Sequence, residues 1–162
     1  MALSTLRIIG FILGIFLITL AVSMTIPMLT LMLFERHDDL NAFLWSSLIC
    51  LVAGVLMMLP GRPKDAHLRP RDMYFLTTAS WVVVCCFAAL PMVIIQHISY
   101  TDSFFETMSG ITTTGSTVII GLETLPPGMN LWRGMLNSLG GLGIAFVAMI
   151  FLPVMRVGGI CL

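Results

Sequence analysis

The chain has 162 residues, of which 58% are hydrophobic and 10% charged, and eight Lys/Arg balance eight Asp/Glu. Soluble domains carry about 25% charged residues, so this composition excludes a soluble enzyme with a wetted surface. It also excludes a disordered tail, which needs low hydrophobicity and high charge, and the zero net charge excludes a strongly basic nucleic-acid binder.

What remains is an all-α integral membrane protein, and the gaps between charges measure its spans. Residues 8–34, 40–61, 73–101 and 134–155 contain no Asp, Glu, Lys or Arg. A helix needs about 20 apolar residues to cross the hydrocarbon core. Four transmembrane helices are therefore expected near residues 6–34, 42–59, 73–97 and 131–153. Ala21-Val22-Ser23 resembles a leader cleavage site. The apolar run continues to Phe34, however, too long for a leader's apolar core, so the first helix is expected to be retained.

The second and third spans are separated by Gly61-Arg62-Pro63-Lys64-Asp65-Ala66-His67-Leu68-Arg69-Pro70-Arg71-Asp72. Its prolines and charges mark an exposed turn. The expected organisation is an N-terminal two-helix hairpin over 1–60, a basic linker over 61–72 and a helix, pore loop, helix unit over 73–155. Residues 156–162 begin a further segment. With the N-terminus in the cytoplasm, Arg7, Arg62, Lys64, Arg69, Arg71 and Arg156 lie inside and only Arg36 and Arg133 outside. That distribution fits the excess of basic residues on the cytoplasmic side.

Between the third and fourth spans lies 102–125, rich in Thr, Ser and Gly and carrying Asp102, Glu106 and Glu123. It is too polar to face lipid and too apolar for a plain surface loop. It reads as a segment that re-enters the membrane from the outer side, which backbone tolerates only when buried or lining a wet cavity. Asp102 or Ser103 is expected to cap a short helix, with Ser103-Phe104-Phe105-Glu106 as a capping box, ending near Ser109 or Gly110. Its C-terminal end, the negative pole of the helix dipole, points at Ile111-Thr112-Thr113-Thr114-Gly115-Ser116-Thr117. Extended threonines offer successive carbonyls, and Gly115 permits dihedrals that other residues resist. Rings of such carbonyls replace the water shell of K⁺. The stretch has no carboxylate, which argues against a tight Ca²⁺ or Mg²⁺ cage.

A helix, pore helix, filter and helix in this order resembles the pore unit of K⁺ channels. The run Thr101-Asp102-Ser103-Phe104-Phe105-Glu106-Thr107-Met108-Ser109-Gly110-Ile111-Thr112-Thr113-Thr114-Gly115 is similar to the first pore loop of the Trk/Ktr potassium transporter family. Leu125-Pro126, Leu131-Trp132-Arg133, Gly140-Gly141-Leu142-Gly143-Ile144, Pro153 and Gly158-Gly159 continue the resemblance in order, and the hairpin with Pro27 resembles the two extra helices of the Trk membrane subunit. The resemblance implies a subunit that folds four such units into one pseudo-fourfold K⁺ pore in the bacterial inner membrane. It implies a homodimer at full length, gated by a cytosolic nucleotide-binding regulatory subunit. It implies Thr112, Thr113, Thr114 and Gly115 as the K⁺ filter, with Thr113 and Thr114 foremost, and no organic cofactor. Asn137-Ser138 stands where the family usually has Gln-Trp, and Ile160-Cys161-Leu162 departs from the pattern. With one filter loop, the chain is expected to be the N-terminal part of a transporter. An inactive fragment or a non-transporting membrane subunit is the alternative.

Other candidates are weaker. Cys50, Cys85, Cys86 and Cys161 form no CxxC and read as small hydrophobes. His37, His67 and His97 have no second ligand at metal spacing. An intramembrane hydrolase with Ser116 as nucleophile and His97 as base lacks a third group to orient the base. Gly10 and Gly14 form a GxxxG suited to close helix packing, and the Gly140–Gly143 cluster suits either close packing or a hinge. Arg133 has three readings: a partner of Glu106, a partner of Glu123, or an interfacial anchor.

Overall fold

The computed structural model describes residues 3–35, 37–61 and 70–157. Most of the linker, with His67, lies outside the described residues, as do Arg36, the Gly158-Gly159 pair and the ending 160–162 with Cys161. The described residues are helical: α1 (Leu3–Ser23), α2 (Thr25–Leu33), α3 (His37–Met58), α4 (Pro70–Ala88), α5 (Leu90–Gln96), α6 (Tyr100–Ile111) and α7 (Pro127–Val157), with a short 3₁₀ turn at Leu122–Thr124.

Three stretches are long and apolar enough to cross a membrane: Thr5–Leu33, Asp39–Met58 and Arg71–Gln96. They correspond to the first three expected spans. The expected fourth falls within α7, a helix of 31 residues, about 46 Å long at 1.5 Å per residue.

Two expected spans are each broken once, in both cases just before a proline. Pro27 follows the break at Met24 between α1 and α2, and Pro91 follows the break at Ala89 between α4 and α5. Proline has no N–H to give and its ring crowds the preceding turn, so the ladder opens there. Past Ala89 the chain tightens, and Met92 N bonds Ala89 O at 3.1 Å. The carbonyls around the kink are taken up from outside the helix. Ala88 O accepts from Trp132 Nε1 at 3.2 Å, and Cys86 O from the Tyr100 hydroxyl at 2.9 Å.

The N-terminal hairpin packs through glycines. A Cβ on Gly14 would sit 2.6 Å from Gly54 O, and one on Gly54 would sit 2.9 Å from Gly14 O. The GxxxG of α1 therefore meets α3 backbone to backbone, and Ser47 Oγ ties the pair by donating to Ala21 O at 3.0 Å. Hairpin and pore unit share one continuous core. Leu17, Met24, Leu31 and Phe43 from the hairpin join Cys85, Met92, Met129, Trp132 and Leu136. Phe43 and Trp132 meet edge to face with centroids 6.0 Å apart, and Leu31 fills the space over Gly128. Cys50 and Cys85 are fully buried.

Replacing Gly54 by Leu forces α1 and α3 apart. The expected result is a loss of about 3 kcal/mol, read as a lower melting temperature of the detergent-solubilised protein. An unchanged melting temperature would contradict the glycine contact.

Candidate functional site

The site is built on α6. Its N-terminus is capped by Ser99 and not by Asp102 or Ser103. Ser99 has extended backbone dihedrals, its hydroxyl accepts from Asp102 N at 3.1 Å, and the same hydroxyl donates to Asp102 Oδ2 at 2.8 Å. The cap thus lies four residues before Ser103, and α6 is 12 residues long, about 18 Å. That is still too short to span. Ser103 lies inside the helix, fully buried, with no hydrogen-bond partner for its hydroxyl.

At the other end the helix closes on the predicted threonines. Thr113 N bonds Gly110 O at 3.0 Å and Thr114 N bonds Ser109 O at 2.9 Å. These are the paired bonds of a Schellman turn. The residue such a turn needs in the left-handed region is Thr113, with φ +57. A β-branched residue there is a true outlier. Gly115 follows with φ +76, and nothing lies within 4 Å of where its Cβ would be. Thr112, with φ −79, caps the helix. Its hydroxyl donates to Met108 O at 2.8 Å and stands 2.8 Å from the Thr114 hydroxyl. Left-handed residues stand at 113 and 115, with none at 112 or 114, so the run does not have the regular backbone of a strand. Residues 112–118 are exposed.

Glu106 is the residue that sequence reasoning placed in the wrong role. It does not reach back to a cap. Its carboxylate lies buried between α6, α7 and residues 117–119 of the loop that follows α6. Oε1 accepts from Val118 N at 2.6 Å, from Ile119 N at 3.1 Å and from the Thr117 hydroxyl. Oε2 pairs with Arg133 Nη2 at 2.9 Å. Of the readings open for Arg133, Glu106 is the partner found. Ser109, one turn further along α6, donates to Ser116 O at 2.7 Å.

α7 backs the loop. Gly140 lies against the last residue of α6: a Cβ there would stand 1.8 Å from Ile111 O. The helix continues unbroken through Gly140–Gly143, so close packing accounts for Gly140.

These features can be set against known proteins. The model of the TrkH family, described as cation transport protein, matches residues 40–162. The chain belongs to the TrkH family. It is 40% identical to the Trk system potassium uptake protein TrkI of Halomonas elongata over 149 residues, 91% of this chain and 30% of that protein. Against the Trk system potassium uptake protein TrkH of Escherichia coli K12 it is 34% identical over 155 residues, 94% of this chain and 32% of that one. The crystal structure of the potassium transporter TrkH from Vibrio parahaemolyticus superposes with a TM-score of 0.83 at 34% identity, covering 99% of this chain and 34% of that one. The chain thus spans about a third of the length of the relatives it matches.

Membership in a family of transporters removes the hydrolase reading, and no hydrogen bond joins His97 to Ser116 among the described residues. His97 closes α5 in the left-handed region with φ +52. The family match runs to residue 162, so the ending 160–162, expected to depart from the pattern, lies within it.

Gly140→Ala drives a methyl into the Ile111 carbonyl. The expected cost is about 3 kcal/mol, read as early unfolding of the α6–α7 contact in hydrogen exchange. Wild-type protection of α6 in the variant would refute the contact.

Proposed function

We propose that this chain forms one pore unit of a K⁺ uptake transporter in the bacterial inner membrane. Its four spans run 6–34, 42–59, 73–97 and 131–153, the N-terminus is cytoplasmic, and α6 is the re-entrant pore helix. Thr112, Thr113, Thr114 and Gly115 line the K⁺ filter. The reading rests on one observation above others: α6 ends in a turn whose next four residues carry left-handed dihedrals at Thr113 and Gly115 and stand exposed. The relatives' description as potassium uptake proteins supports K⁺ as the ion.

The work of such a filter is dehydration. Carbonyl oxygens replace the ion's water shell, and the negative end of the α6 dipole favours the cation. The nearest buried carboxylate, Glu106, is occupied by Arg133 and three donors. The ion therefore meets neutral oxygens, which suits a weakly bound, passing monovalent cation and not a trapped divalent one. One loop cannot encircle an ion, so further pore units complete the ring. The full-length protein acts as a homodimer with a cytosolic nucleotide-binding regulator.

Gly115→Asp tests the filter. Asp tolerates the left-handed region better than most residues and meets open space, so the fold is kept while a charge enters the ion path. In the full-length gene, expressed in cells lacking their own K⁺ uptake, Rb⁺ uptake is expected to fall at least about tenfold, the factor that follows from 1.4 kcal/mol. Unchanged uptake with unchanged K⁺ over Na⁺ preference would sink the assignment.

Residues 1–162 expressed alone are expected to insert in the membrane and carry no Rb⁺ uptake. Uptake at the full-length rate would mean that copies of this chain build the pore by themselves.

A further inference from the structure

We propose that Glu106 is a positioning residue that sets the ion preference of the filter without touching the ion, and that Arg133 holds it in place. The inference rests on the filter reading of Thr112–Gly115.

The filter loop is fastened at two places. On the helix side, Ser109 O receives Thr114 N at 2.9 Å and Gly115 N at 3.4 Å. On the outgoing limb, Glu106 Oε1 collects Val118 N, Ile119 N and the Thr117 hydroxyl. Between these two fastenings the loop has little solid backing. Behind Gly115 and Ser116 lies a cavity of about 220 Å³, lined also by Glu106, Ser109, Arg133 and Asn137. Among the described residues, the Ser109 hydroxyl alone reaches across to this part of the loop, at Ser116 O. Packing resists displacement only where atoms touch. Here a void takes their place, so the positions of the filter carbonyls depend on the polar ties at either end.

Glu106 suits that task by its chemistry. Oε1 accepts three donors and Oε2 accepts Arg133, so in these four contacts the carboxylate is the acceptor. The Glu106 side chain is 1% exposed and that of Arg133 21%. Bonds between buried ions and hydrogen-bond donors are the strong ones. Arg133 Nη1 is buried with no protein partner among the described residues, beside this cavity, which has room for water. Whether selectivity comes from fit or from carbonyl field strength, it depends on where the oxygens stand. Loosening the outgoing limb lets them follow the smaller Na⁺ inward.

The substitution Glu106→Gln keeps size and shape but turns an amide NH₂ toward either Arg133 or the loop amides, donor against donor. The experiment uses the full-length gene in cells lacking their own K⁺ uptake. It measures Rb⁺ uptake, its inhibition by Na⁺, and the amount of transporter in the membrane. Glu106→Gln is expected to sharpen Na⁺ inhibition about tenfold, as the loss of a buried bond to a charged group implies. Thr117→Val, which removes one donor outside the buried pair, is expected to give about a threefold shift. Arg133→Lys is expected to stay nearer wild type than Arg133→Gln.

A residue of purely structural importance would lower uptake and membrane amount together and leave the Na⁺ to Rb⁺ ratio alone. That result for Glu106→Gln overturns the inference. If Glu106→Gln fails to reach the membrane, unchanged ratios in both Thr117→Val and Arg133→Gln overturn it. Gly115→Asp is run alongside. If it abolishes ion preference while Glu106→Gln does not, the filter reading stands and this inference fails. If Gly115→Asp changes nothing, both fall.

Discussion

The carboxylate of Glu106 is the constraint on which the geometry of the site depends. Between apolar helices in lipid there is little hydrophobic gain, because the lipid tails are as apolar as the side chains they replace. Position is then decided by close packing and by polar ties. Removing a carboxylate from water costs several kcal/mol, and here Arg133 and three donors of the outgoing limb offset it. Glu106, Ser109 and Gly110 lie three and four residues apart, so one face of α6 presents them together. That face holds the loop from behind. The threonines past the helix end add their own ties back to α6, through Thr113 N, Thr114 N and the Thr112 hydroxyl.

α7 grips the same helix through a single stripe. Trp132, Leu136 and Gly140 recur every four residues, and Arg133 lies seven before Gly140, so all share one side of α7. Arg133 pairs with Glu106, Leu136 is buried and in reach of Gly110, and Gly140 meets the Ile111 carbonyl. Trp132 extends the grip to the kink before Pro91 through its bond to Ala88 O. The kink frees a carbonyl that a straight helix would use internally. A proline that weakens one helix thus makes the acceptor through which another is docked. The hairpin reaches the same tryptophan from the far side through Phe43.

The exposure of residues 112–118 is the complement of this grip. Backbone at membrane depth survives only if it is covered by protein or lines a wet cavity. A loop tied at both ends and left open in front is what the proposed pore unit needs if it is to present that loop to neighbouring units. The chain's span of about a third of its relatives accords with that view.

Much of this was legible along the chain. Charge-free stretches located the three segments that are long and apolar enough to cross a membrane, because such a helix must be about 20 residues and apolar. The short helix before a Thr and Gly run stood out because its polarity conflicts with its neighbours, and the order of motifs pointed to the family that the comparison with known proteins assigns. Other features were decided only by the tertiary structure. The cap is Ser99 because Asp102 can answer it across one turn, a choice that Ser103 and Glu106 matched equally well in sequence. Glu106 was free to serve as a cap residue or an ion-pair partner. Arg133 had two acids to choose from, separated from it in sequence by different distances that carry no weight once helices cross. Thr113 takes a left-handed dihedral that its residue type disfavours, because the turn needs one there. Hydropathy and spacing are local properties. Which acid meets which base, and which glycine meets which carbonyl, depends on how α6 crosses α7, and that crossing exists only in the folded chain.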